Sequence, residues 1–215
     1  TRFSGGIEVT GNRTASPGVT ANGATDYAAG QSRKIACVTC HDPNFGWADS
    51  TSRPNNVSLG VNFTDRNAPT VLNAAHNTYL LWDGSVDSVW SVMRPALEGN
   101  PHGLGRAGVA YVICNSANYR NTGTVNYEGV FGTADTGAVC GSLTTVPSLA
   151  ANNWGKVTGG TTNIYTGLAS NALRQNVDNI FANFGKAIAA YERKLVSKNS
   201  AFDQFAAGND NAMTV

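Results

Sequence analysis

The chain has 215 residues and a formal net charge of +1, and only 13% of its residues are charged, about half the usual share for a soluble protein. Its 15 lysines and arginines are scattered, so no basic stripe marks a nucleic acid or an anionic membrane as partner. No apolar run approaches the roughly 18–20 residues that a transmembrane helix needs.

Residues 1–34 are rich in Gly, Thr, Ala and Asn without an apolar period and read as an extended, loop-like arm. The opening "TRFSGGIEVTGNRT" lacks a basic-then-apolar leader and reads as a mature or trimmed end. Residues 35–66 are also irregular, with turn signals at "DPN" and "RPNN" around the motif "CVTCH". In "PTVLNAAHNTYLLW", Val71, Leu72, Ala75, Tyr79 and Trp82 recur at helical spacing behind Pro69, which predicts a helix over 70–82 closed by Asp83-Gly84. A second helix is predicted through "SVDSVWSVMRPAL", capped by Ser85, with Val86, Val89, Trp90 and Met93 as its apolar stripe and Pro95 as its end or kink.

Residues 99–170 hold many Gly, Asn and Thr and read as a long loop-like excursion. Cys114 and Cys140 stand alone within it. Two unaccompanied cysteines most simply pair, which implies an oxidising compartment, periplasmic or extracellular; two reduced buried thiols are the alternative. The strongest helix lies in "NVDNIFANFGKAIAAYERKLV", where Val177, Ile180, Phe181, Phe184, Ile188, Tyr191 and Leu195 share a face. Asn171 or Asn176 is its expected cap, and Arg193 and Lys194 its favourable last-turn charges. "SAFDQFAAG" predicts a short helix closed by Gly208. The expected fold is mainly α, with roughly three or four helices and much loop.

Cys37-Val38-Thr39-Cys40-His41 carries the chemistry. Two cysteines three apart followed by a histidine are the spacing of covalent haem attachment, with Cys37 and Cys40 as thioether anchors and His41 as axial iron ligand. A structural zinc would need four ligands, usually a second close pair. Only His76 and His102 remain, and no such pair exists. A thioredoxin-like redox motif would follow a strand in a βαβ pattern, which the sequence does not display.

Four segments, "CVTCHDPNFGWAD", "RNAPTVLNAAHNTYLLWDGS", "MRPALEGNPHGLGR" and "IFANFGKAIAAYERKLVSKNSAFDQFAAGND", resemble the N-terminal haem domain of the bacterial di-haem cytochrome c peroxidases, a family that includes tryptophan-modifying di-haem enzymes. Order and spacing agree across nearly the whole chain apart from 107–170. The resemblance implies one cytochrome c-like haem domain over 1–215, with long loops and 107–170 as a loop-rich, disulfide-pinned insertion. It also implies that the chain is a fragment or one piece of a larger assembly, since the family's second haem domain would begin where this sequence stops.

Position by position, the resemblance implies an electron-relay tryptophan at Trp82, for which a buried core aromatic is the alternative. It implies a calcium ligand at Asn67, where a turn-capping role serves as well. Two departures touch the chemistry. Val61 stands where the family often carries a distal histidine, and Pro101 stands where it carries the peroxide-site glutamate. Peroxide cleavage wants an acid–base group that moves a proton between the two oxygens. His102 and Glu98 are the substitutes nearest in sequence, and His102 is the best distal candidate, ahead of His76 and Met93.

Two functions therefore stand side by side. One is a haem peroxidase that reduces hydrogen peroxide with electrons from a small cytochrome c or cupredoxin. The other is a non-catalytic electron carrier or assembly subunit that has lost the peroxide-site acid. Haem c, one per chain, is the implied cofactor, and a second haem domain or chain the implied partner.

Overall fold

The structure is a computed structural model and describes residues 7–9, 33–50, 57–58, 64–99, 102, 105–121, 125–144 and 164–213. It is mainly helical. Its axis is a helix of 22 residues, α7 (Asn171–Glu192). The sequence explains why this helix forms. Ser170 takes extended backbone angles and its hydroxyl accepts the Leu173 N–H, so a serine caps the first turn instead of either asparagine. Val177 and Ile180 are fully buried and Phe181 nearly so, the stripe expected from the three-and-four spacing. The helix ends at Glu192, so Arg193 and Lys194 lie just beyond it.

Three elements pack on that stripe: a 3-10 turn over Val89–Val92, helix α3 (Gly105–Asn115) and helix α6 (Ala134–Val139). Much of the expected loop region is thus helical, with α4 (Ala117–Arg120) and α5 (Tyr127–Phe131) between α3 and α6. The reason is packing from several sides. Ala107, Val109, Ala110 and Ile113 of α3 are all buried, so the helix has no polar face to reveal a period. Cys114 and Cys140 form the expected disulfide, with Cα atoms 5.2 Å apart, which ties the end of α3 to the end of α6. The Asn179 amide donates to Asp135 at 2.9 Å and the Asn183 amide to the Tyr127 hydroxyl at 3.0 Å, fixing α7 to α6 and α5. The fully buried Thr136 hydroxyl donates to Glu128 at 2.6 Å, and Glu128 also accepts Arg120 at 2.7 Å, so one carboxylate oxygen, Oε1, takes both donors and the buried hydroxyl is satisfied.

Residues 70–82 do not form the predicted helix. Only Ala74–His76 makes a single 3-10 turn. Asn73 sits at φ 62° and Leu81 at φ 66°, both left-handed and both incompatible with a continuous right-handed helix. Tertiary bonds hold them. The Asn73 N–H donates to the Leu195 carbonyl at 2.8 Å, and its side chain bonds both Ser197 Oγ and Ser197 N–H. Leu80 instead pairs with Val86 in an isolated bridge. Helix α2 (Met93–Glu98) follows the 3-10 turn directly. Pro95 falls in its first turn, where the missing N–H is not needed, so proline helps to begin a helix here and does not end one.

Short elements complete the frame. Helix α1 (Cys37–Cys40) follows strand β2 (Arg33–Ile35), which pairs antiparallel with β1 (Ile7–Val9); within the expected arm these two strands are the described parts. Helix α8 (Ala201–Ala206) carries a capping box between Ser200 and Asp203, and Gly208 at φ 99° follows it. Among the described residues, no helix is long and apolar enough to cross a membrane.

α7 and the Val89–Val92 turn meet backbone to backbone at Gly185. A Cβ there would lie 2.5 Å from the Trp90 carbonyl oxygen, a group that cannot swing aside. Gly185→Ala is expected to destabilise the fold by about 1–3 kcal/mol, read as a lower urea midpoint at unchanged slope. An unchanged midpoint would mean that the two elements separate without cost.

Candidate haem site

The motif occupies one turn of helix. The His41 N–H donates to the Cys37 carbonyl at 2.8 Å, and the Ala36 N–H donates to Thr39 Oγ1 at 3.1 Å. Cys37 is exposed and Cys40 half-buried, and neither is in a disulfide. The chain then reverses sharply. Asp42 Oδ1 accepts the Asn44 N–H at 2.8 Å and caps the 3-10 turn Pro43–Phe45, after which Gly46 and Trp47 both sit at φ 62°. A left-handed tryptophan is strained backbone that only its surroundings can hold. The Trp47 N–H donates to the Asp42 carbonyl at 2.8 Å, and its ring meets Tyr191 of α7 edge-on at 6.4 Å.

The reversal returns the Trp47 carbonyl to the motif, 3.1 Å from His41 Nδ1. A carbonyl can only accept, so Nδ1 carries the proton and Nε2 keeps a free lone pair. Burial lowers the His41 pKa, opposed by the carbonyls of Trp47 and Pro69 and by Asp49. The imidazole is therefore held neutral, with one nitrogen oriented and the other able to ligate a metal.

His102 lies close enough to His41 to feel that imidazole's charge. It is half-buried. Burial first, and then the nearby His41, bring its pKa down to about 4. Two cysteines on one turn, a neutral histidine with a free Nε2, and a second neutral histidine nearby fit a covalently held haem. The alternatives fit less well. Among the described residues no group of three His, Cys, Asp or Glu side chains gathers, so a four-ligand zinc site is not assembled. The preceding strand is paired antiparallel, unlike a βαβ redox fold.

The other candidates are dispersed. Both carboxylate oxygens of Glu98 are taken by Arg106, at 2.6 and 3.2 Å. Trp82 is 65% exposed, not a core aromatic, and its Nε1–H donates to the Asn67 carbonyl at 2.7 Å. Among the described residues, no cluster of metal-ligating side chains gathers at Asn67, and calcium is not supported there. His76 is exposed, and Met93 is buried in the core. Val61 and Pro101 lie outside the described residues. Sequence reasoning missed the Trp47 carbonyl, for which the "FGW" turn was the only signal. It also missed Arg106 and Asp178, which are joined at 2.9 Å across a wide sequence gap.

The profile of the di-haem cytochrome c peroxidases matches residues 25–211. The chain belongs to this family. Among its relatives are the methylamine utilization protein MauG of Methylorubrum extorquens, 39% identical over 64 residues, 30% of this chain and 18% of the relative. Cytochrome-c peroxidase IdrP2 of Pseudomonas sp. strain SCT is 45% identical over 53 residues, 25% of this chain and 14% of the relative. The cytochrome c551 peroxidase of Pseudomonas aeruginosa is 39% identical over 59 residues, 27% of this chain and 16% of the relative. The chain thus aligns with less than a fifth of the length of each. Membership carries haem redox chemistry at the level of the family.

One carboxyl beside the motif is perturbed. Glu192, the last residue of α7, is half-buried, and burial pushes its pKa up to about 7. The protein mass around Cys37 raises that thiol's pKa, and the Glu192 carboxylate adds a smaller push. The folded state holds a proton on Glu192 that the unfolded chain releases above its ordinary value of 4.5. Stability is therefore lost as pH rises from 4.5 to about 7. Glu192→Gln is expected to flatten that part of the pH dependence by on the order of 2 kcal/mol, allowing for the solvent that reaches the group. Urea titrations of both proteins between pH 4 and 8 measure it, and parallel curves would remove Glu192 from the account.

Proposed function

We propose that the chain is a cytochrome c-like haem domain that reduces hydrogen peroxide, working in an oxidising compartment such as the periplasm. The observation that supports the reading is that His102, distant in sequence, lies within electrostatic reach of His41 and that burial lowers the pKa of both. The Cys114–Cys140 disulfide supports the compartment. Electrons come from a small redox protein of the cytochrome or cupredoxin kind. The domain spans the whole chain, with 107–170 as an insertion into the family's pattern.

In this reading Cys37 and Cys40 would anchor the porphyrin through thioethers, and His41 Nε2 would hold the iron. Bound there, haem c supplies the redox-active iron at which peroxide is reduced. The Trp47 carbonyl holds the His41 ring in one orientation and makes it a better donor. His102 accepts a proton from the incoming peroxide on its unprotonated ring nitrogen and returns it to the departing oxygen. With a pKa near 4 it gives that proton up readily. Two electrons and two protons then turn one peroxide into two waters. Trp82, exposed and fixed through its indole N–H, is the proposed entry point for electrons. Glu98, with both oxygens on Arg106, supports the distal side and does not shuttle protons.

The second reading, an electron carrier without peroxide chemistry, is favoured by Pro101 at the position of the family's acid. Three measurements separate the two. The intact mass and a haem count should give one covalent haem on this polypeptide. Cyanide and peroxide titrations should shift the Soret band. His102→Ala should slow peroxide turnover by roughly 10²–10⁴-fold, whereas His76→Ala should leave it unchanged. No ligand binding in either redox state would leave the carrier. Equal, negligible effects of the two substitutions would remove His102 from the mechanism.

A further inference from the structure

Helix α2 ends at Glu98 and helix α3 begins at Gly105, with His102 between them in the sequence. The two helix ends are joined by one side chain. Arg106 Nε donates to Glu98 Oε1 at 2.6 Å and Arg106 Nη2 to Glu98 Oε2 at 3.2 Å. This is a two-point fork that fixes orientation as well as distance. Arg106 Nη1 also donates to Asp178 Oδ1 on α7 at 2.9 Å, and the Tyr165 hydroxyl donates to Asp178 Oδ2 at 2.8 Å. The guanidinium lies 5.3 Å from the Tyr165 ring centroid and 5.6 Å from that of Phe181. These bonds raise the pKa of an already permanent cation. Both Arg106 and Glu98 are largely buried, with side-chain exposures of 20% and 12%. Breaking one partner therefore strands the other.

The sequence holds few charges, and this cluster gathers three of them at the base of one short segment. Surface ion pairs add little to a fold, but a buried fork across the two ends of a loop limits where the loop's middle can go. The comparable Arg120–Glu128 pair ties α4 to α5 and spans no candidate ligand. We propose that Arg106 is a positioning residue for the distal side: by clamping Glu98 to α7 it sets where His102 stands relative to His41. The proposal rests on the reading of His102 as the distal residue. It adds a cause for that residue's placement.

The test uses the haem-loaded protein with Arg106→Gln, Arg106→Lys and Glu98→Gln, and Arg120→Gln as a control that breaks a similar pair elsewhere. Amide hydrogen exchange over 99–105 should rise at least about tenfold in the first three and stay unchanged in the control. Arg106→Lys should not rescue, because an ammonium cannot make the fork. Cyanide affinity should change by about fivefold in the same three proteins, and the change should disappear when His102→Ala is added, as expected for a pair acting through one group. If Arg106→Gln fails to fold, Glu98→Gln gives the decision, since it keeps an acceptor and shape. Unchanged exchange, or an equal cyanide effect with and without His102, overturns the proposal. A cyanide affinity indifferent to His102→Ala alone is a different result, which overturns the reading of His102 itself.

Discussion

The burial of α7 is the constraint on which the rest of the molecule depends. Val177 and Ile180 have no solvent contact, and at roughly 25 cal/mol per Å² of apolar surface each such side chain contributes about 1.5–3 kcal/mol. The same helix touches the candidate site at both ends. Near its start, Asp178 holds Arg106 and through it Glu98. Near its end, Tyr191 braces Trp47, whose carbonyl orients His41. Between them Gly185 lets the Val89–Val92 turn lie against the helix backbone, which fixes α2 and so the place where the segment bearing His102 begins. One helix thus braces both the turn that orients His41 and the end of α2.

Legibility in the sequence followed how each element is stabilised. α7 could be read because it buries one face and leaves the other polar, so its period survives in the letters. α3 could not, because its alanines and glycines are buried around the helix and leave no contrast between faces. α4, α5 and α6 have four to six residues each, too short for a period to repeat. The 70–82 stretch misled in the opposite way. Its apolar residues are spaced for a helix, but Asn73 and Leu81 are held left-handed by bonds to residues 195–197 and by the bridge to Val86, and tertiary contacts override a local preference. Tyr79 and Trp82, read as one face of that helix, are both largely exposed.

The site divides along the same line. Cys37, Cys40 and His41 are contiguous, so covalent spacing alone discloses them. His102 was reached through a resemblance of loops, and it lies within electrostatic reach of His41. Arg106 and Asp178 were invisible, since an arginine in a glycine-rich stretch and an aspartate on a helix give no sign of meeting. The Trp47 carbonyl is less visible still, because any residue has one. What selects it is the left-handed pair at Gly46 and Trp47.

A chain with so few charges gains something chemical from where it keeps them. Arg106 is shared by Glu98 and Asp178, and Arg120 pairs with Glu128 farther along. The low pKa values of the two imidazoles come first from burial, with Asp49 acting against it at His41. A histidine kept neutral by a dry pocket differs from one kept neutral by a nearby cation. An anion that forms beside a buried imidazole raises its basicity directly. His102 is therefore a weak base at rest and a stronger one when negative charge develops beside it.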